Sequence, residues 1–132
     1  SCEGVARAVA AGDVDAGLLA IENTLAGSVV ATYDALAASA DAVTLVGEIV
    51  LPIRHCLLAP PGATLDGLQM VESHPIALAQ CTRFLAGRPG LAVHAAWDTA
   101  GAARAVAASG DVTRAAIAAE SAALRLGLTV LA

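Results

Sequence analysis

The chain has 132 residues, long enough to bury a real core as one modest domain or as two small lobes. Hydrophobic residues make up 58% but aromatics only 2%, so small side chains dominate, which favours close helix–sheet layers and a polar-lined cleft over an aromatic cage. The net charge of −5, without a basic cluster, argues against a nucleic-acid partner, and no apolar run approaches the roughly 20 residues of a membrane span.

In chain order, residues 2–11 carry apolar positions at helical spacing, and Gly12 closes the turn. Residues 16–21 form a continuous apolar run that reads as a buried parallel strand. Glu22-Asn23-Thr24 makes a strand-to-helix turn, and the pattern predicts a helix over 25–38 with Asn23 or Thr24 as its cap and Gly27 in its first turn. Residues 43–50 and 53–59 are further strand candidates, broken at Leu51-Pro52. Pro60-Pro61-Gly62 is a turn, 65–68 one helical turn, and 69–72 a strand. Pro75 opens a helix that runs to about Gly87. A strand over 91–96, a helix over 100–108 capped at Asp98-Thr99, a strand over 115–118, a helix over 120–126 closed by Gly127, and a strand over 128–131 complete the chain.

Strands alternating with helices predict an α/β fold with mainly parallel sheets. In such sheets ligands bind beyond the carboxyl ends of strands, at helix N-termini. Three turns fit that placement: Glu22 to Ser28, Ser73-His74-Pro75, and Asp98-Thr99. Cys2, Cys56 and Cys81 are odd in number and widely spaced, so neither a disulfide framework nor a metal-ligand pattern is expected. With no secretory leader at the start, a reducing cytoplasm is the expected location.

Glu22-Asn23-Thr24-Leu25-Ala26-Gly27-Ser28-Val29, followed by Thr32-Tyr33-Asp34, resembles the first motif of the prephenate dehydratase catalytic domain. Leu51-Pro52-Ile53-Arg54-His55-Cys56-Leu57-Leu58 resembles its central strand, and Ser73-His74-Pro75 with Ala79-Gln80-Cys81 its third motif. Asp98-Thr99-Ala100 and residues 115–128 are similar to its later segments, in the family's order and spacing. The resemblance implies a two-lobe fold of the type II periplasmic-binding-protein kind, with residues 1–50 part of a first, incomplete lobe and 51–132 the second. Substrate would lie between them. It also implies decarboxylating dehydration of prephenate to phenylpyruvate in phenylalanine biosynthesis, without cofactor or metal, in a possible homo-oligomer.

Two family features are not found: a first strand with a Gly-Pro-x-Gly-Thr turn, and a Thr-Arg-Phe motif after the last strand. Thr82-Arg83-Phe84 spells that triplet but lies inside a predicted helix. The segment alone is therefore expected to turn over little substrate.

The resemblance assigns Glu22, Asn23, Ser73 and Gln80 to catalysis, and Thr24, Gly27, Ser28, His74, Cys81 and Thr99 to substrate binding. Prephenate is a dianion, and helix N-termini suit it. Asn23 would donate to a carboxylate or hydroxyl, or simply cap a helix. Glu22 would orient the leaving hydroxyl, or protonate it if burial kept the acid neutral. Ser73 could be a binder or a cap, Gln80 a binder or a solvated helix position. His74, just before a helix N-terminus, is a poor place for a cation, and Cys81 reads as a pocket wall. A non-catalytic small-anion binding module on the same fold is the alternative.

Overall fold

Ser1 starts the first helix as its cap, its Oγ accepting from the Gly4 N–H, with Glu3 in the first turn and Arg7 in the last of α1 (Cys2–Ala10). The computed structural model describes residues 1–132, which divide into two units, Ser1–Val50 and Leu51–Ala132. In the first unit α1 packs on α2 (Val30–Ala38). Thr32 of α2 is fully buried; its Oγ1 donates to the Ala20 carbonyl at 2.7 Å and lies 3.2 Å from Cys2 Sγ. One hydroxyl thus ties α2 to both the preceding segment and α1.

Between the helices lies a hairpin, β1 (Glu22–Asn23) with β2 (Gly27–Ser28), pairing Glu22 with Ser28 and Asn23 with Gly27. The predicted helix over 25–38 therefore starts only at Val30. Gly27 has φ +83°, a left-handed conformation that suits the residue closing a three-residue hairpin loop and would be foreign to a helical turn.

Two expected strands do not form. Residues 16–21 and 43–50 are irregular, and Leu18 and Val46 are 78% and 90% exposed. The first unit's one ladder is β1–β2, so neither run has a neighbour to pair with. An apolar run becomes a strand only where another backbone meets its N–H and C=O groups.

The second unit is a five-stranded sheet with helices on both faces. Its elements are β3 (His55–Ala59), a 3-10 turn (Leu65–Gly67), β4 (Met70–Ser73), α3 (Pro75–Gln80), α4 (Thr82–Ala86), β5 (Ala92–Ala95), α5 (Thr99–Ser109), β6 (Arg114–Ala119), α6 (Glu120–Leu126) and β7 (Thr129–Val130). The order is β5-β4-β6-β3-β7. β4 is parallel to β5 and β6, while β3 is antiparallel to β6 and β7, so the sheet is mixed.

Period-two alternation splits the core. Leu58, Ala116 and Ala118 meet Ala102, Ala103 and Val106 of α5 and Ala123 of α6. Leu57, Ala59, Val71, Ala115 and Ile117 meet Ala77 of α3, with Phe84 and Leu85 of α4 packed alongside. Both faces of β6 are covered, which is why residues 115–118 read as an unbroken apolar run. Alanine at most facing positions lets helix and sheet backbones approach closely. Deleting the fully buried Leu58 side chain would cost about 2–5 kcal/mol.

The helix expected from Pro75 to Gly87 is broken at Cys81, which ends α3 and precedes α4 with φ −100° and ψ 13°. Thr82 Oγ1 donates to the Ala79 carbonyl at 2.6 Å, a local side-chain bond that competes with the helical ladder. At the chain's later helices the caps fall as the sequence predicts. Asp98 caps α5 by accepting from the Gly101 N–H, and left-handed Gly110 and Gly127 close α5 and α6.

Candidate active site

The parallel strands β4, β5 and β6 all finish at one edge of the sheet. β3 runs the other way and begins there, because His55 pairs with Ala119. That edge therefore holds Ser73-His74, Trp97-Asp98-Thr99, Ala119-Glu120 and His55. It is the place where a doubly covered α/β sheet offers strand ends and helix openings to a ligand.

Ser73 is fully buried, and its Oγ donates to the Ile117 carbonyl at 2.6 Å. It does not cap α3. That role falls to His74, whose Nδ1 accepts from the Ile76 N–H at 3.2 Å. An accepting Nδ1 carries no proton, so in this geometry the ring N–H of His74 is on Nε2. Thr99 is the first residue of α5, half-buried behind its Asp98 cap.

Gln80, the last residue of α3, is half-buried rather than solvated, and its Oε1 lies 2.5 Å from His55 Nε2. Sequence reasoning gives His55 little weight. The signal it lacks is strand direction, since periodicity does not reveal that β3 is reversed. Beside this pair is a cavity of about 120 Å³ lined by His55, Leu57, Cys81, Phe84 and Ile117 among others. Cys81 is thus a wall residue, and burial pushes its thiol pKa up.

The other residues assigned from the sequence lie in the first unit. Glu22, Asn23, Thr24, Gly27 and Ser28 all lie on the β1–β2 hairpin. Asn23 Oδ1 accepts from the N–H groups of Leu25 at 3.0 Å and Ala26 at 2.9 Å, closing an Asx turn rather than capping a helix. Glu22 is exposed on a strand and does not stand at a helix N-terminus. The amide-rich helix opening expected after Glu22 is consequently a hairpin loop. No three His, Cys, Asp or Glu side chains gather as a metal site.

The whole chain, residues 1–132, matches the prephenate dehydratase family model. It is 44% identical over 119 residues to arogenate dehydratase/prephenate dehydratase 2, chloroplastic, of Arabidopsis thaliana, covering 90% of this chain and 30% of that protein. Among solved structures, the prephenate dehydratase of Arthrobacter aurescens in complex with L-Phe superposes with TM-score 0.80 at 31% identity, over 98% of this chain and 43% of that one. GqqA, described as a novel type of quorum quenching acylase, superposes with TM-score 0.81 at 35% identity, over 100% of this chain and 47% of that one. The chain spans about 30% of such curated relatives and under half of these solved chains.

Fold and sheet-edge site together define an α/β protein of the type II periplasmic-binding class. Within that class, the chain belongs to the prephenate dehydratase family.

Proposed function

We propose that this chain carries substrate-handling parts of a dehydratase that converts prephenate, or the amino-bearing arogenate, to its aromatic product in phenylalanine biosynthesis. The observation that supports this reading is the sheet edge itself: in a chain of this family, Ser73-His74, Thr99, His55 and, through His55, Gln80 are brought to the strand ends.

The chemistry asks little of redox or metal groups. The electron pair of the bond to the ring carboxylate moves into the ring as CO2 leaves, and the ring hydroxyl departs as water once protonated. The protein must hold the carboxylates, deliver that proton and keep the departing carboxylate poorly solvated. Gln80 donates to a substrate carboxylate. With its oxygen engaged in the Asx turn, Asn23 has its amide nitrogen as the donating end. Glu22 orients the leaving hydroxyl. Ser73 acts through the loop it anchors, because its hydroxyl is spent on Ile117. Half-buried free thiols at Cys2, Cys56 and Cys81 suit a reducing compartment such as the cytoplasm.

The acylase description of GqqA invites a second reading, amide hydrolysis. Ser73 and His74, though adjacent, address different backbone partners and form no nucleophile–base pair, which favours the dehydratase. A third reading is a clamp that binds small anions without reacting. Incubation with prephenate and with arogenate, tracking phenylpyruvate and phenylalanine formation beside calorimetric binding, separates these. Product from either, even at a low rate, supports the dehydratase, and binding with no product at all leaves the clamp.

A further inference from the structure

His55 and Gln80 are 25 residues apart in sequence, yet His55 Nε2 meets Gln80 Oε1 at 2.5 Å. The contact joins the first residue of a reversed edge-directed strand to the last residue of a short helix. A carboxamide oxygen only accepts and its NH2 only donates. With the carboxamide oxygen toward the ring, the facing imidazole nitrogen is the donor, and the Nε2H2 group is the proton-offering end of Gln80. The adjoining cavity presents mainly apolar walls, Leu57, Phe84 and Ile117. In such surroundings a hydrogen bond is stronger than in water, and the ring has few competing acceptors.

We propose that His55 is a positioning residue for Gln80, holding its carboxamide so that the NH2 end is presented to a substrate carboxylate. This rests on the proposed placement of Gln80 in the substrate site. His55 itself touches no reacting atom. Its contribution is to remove the alternative in which Gln80 turns its oxygen, and hence a repulsive dipole, toward an anion.

The test uses the protein labelled with 15N, with His55→Ala, His55→Gln (which keeps a side-chain N–H near the Nε2 position), Gln80→Ala and the double His55→Ala/Gln80→Ala variant. Spectra of the ring nitrogens should show His55 protonated at Nε2 in the wild type, and the Gln80 side-chain NH2 signals should move in His55→Ala. With prephenate as the probe, His55→Ala should raise KM about tenfold, the usual reading of one lost hydrogen bond, with kcat nearly unchanged and His55→Gln recovering most of the loss. In the Gln80→Ala background, His55→Ala should add no more than about twofold, because the two act as one unit.

Unmoved Gln80 NH2 signals in His55→Ala, an unchanged KM, or losses that multiply in the double variant would overturn the proposal. If the wild type binds prephenate without turning it over while the 15N signature of the pair is present, the dehydratase reading fails instead. The same tenfold criterion, read as calorimetric affinity, then decides the positioning role. A wild type that neither binds nor reacts overturns both.

Discussion

Arg114 reaches from the start of β6 across to Glu72 on β4, its Nη2 2.7 Å from Oε1, and so ties together the two central parallel strands just below the candidate site. The pair is largely shielded, with side-chain exposures of 27% for Arg114 and 14% for Glu72, and the Arg114 Nε is buried without a hydrogen-bond partner. Removing either partner strands the other charge: Glu72→Ala leaves a half-buried guanidinium, and Arg114→Met keeps the apolar stem but leaves the more deeply buried carboxylate unpaired. Each should therefore cost about 1–3 kcal/mol. Urea midpoints at a constant m-value measure both losses, and a variant as stable as the wild type would count against the pair as a structural tie.

The hairpin makes a separate prediction at Asn23 and Gly27. Asn23→Ala removes the acceptor for two backbone N–H groups, while Asn23→Asp keeps it. Amide exchange of Leu25 and Ala26 should accelerate in Asn23→Ala and stay near the wild-type rate in Asn23→Asp. Turnover, by contrast, should fall in both, because an aspartate has no amide nitrogen to offer an anion. Gly27→Ala meets open space yet must adopt φ +83°, so a cost of about 1 kcal/mol is expected from backbone strain alone.

Much of the second unit is legible in the sequence because its signals are local. Asp98, Gly110 and Gly127 mark helix ends by their own chemistry, and the apolar run 115–118 announces a strand. Most of the misreadings depend on partners remote in sequence; the break at Cys81, set by the local Thr82–Ala79 bond, is the exception. Residues 16–21 and 43–50 have strand-like composition, but a strand exists only with a neighbour. At Asn23 a helix cap and an Asx turn use the same oxygen, and they differ only in whether the next residues coil into a helix or fold back as a strand. The direction of β3, which no periodicity encodes, decides that His55 arrives at the ligand edge.

Cys81 should behave as a guarded thiol. Burial raises its pKa above the ordinary value near 9.0, so its thiolate appears at higher pH in the folded chain than in the unfolded one. In the interval between, the unfolded chain has lost a proton that the native chain keeps. The stability tied to Cys81 is therefore intact below the unfolded pKa and declines as pH rises past it. Iodoacetamide modification, read site by site by mass spectrometry, should label Cys81 faster in urea than in the native state. Its native rate should climb only at alkaline pH, and equal rates in both states would contradict the protection by burial. Asp111 provides the opposite sign. Hydrogen bonds from Thr113 hold its carboxylate below the usual range, so the linked stability is present above the unfolded pKa and is lost as pH falls through the native one.

Trp97 is the single tryptophan of the chain, 93% exposed and immediately before the Asp98 cap at the end of β5. β5 runs parallel to β4 with Ala95 opposite Ser73, so Trp97 stands at the same edge as the Ser73-His74 turn. Its emission is thus a one-residue reporter of that edge. A prephenate-like dianion bound there should shield the indole, shifting emission to shorter wavelength and lowering quenching by acrylamide, with a midpoint equal to the calorimetric Kd. Trp97→Phe should abolish the signal. Calorimetric binding accompanied by unchanged Trp97 emission would place the ligand away from this end of the sheet, and the roles assigned to Ser73, Gln80 and Thr99 would go with it.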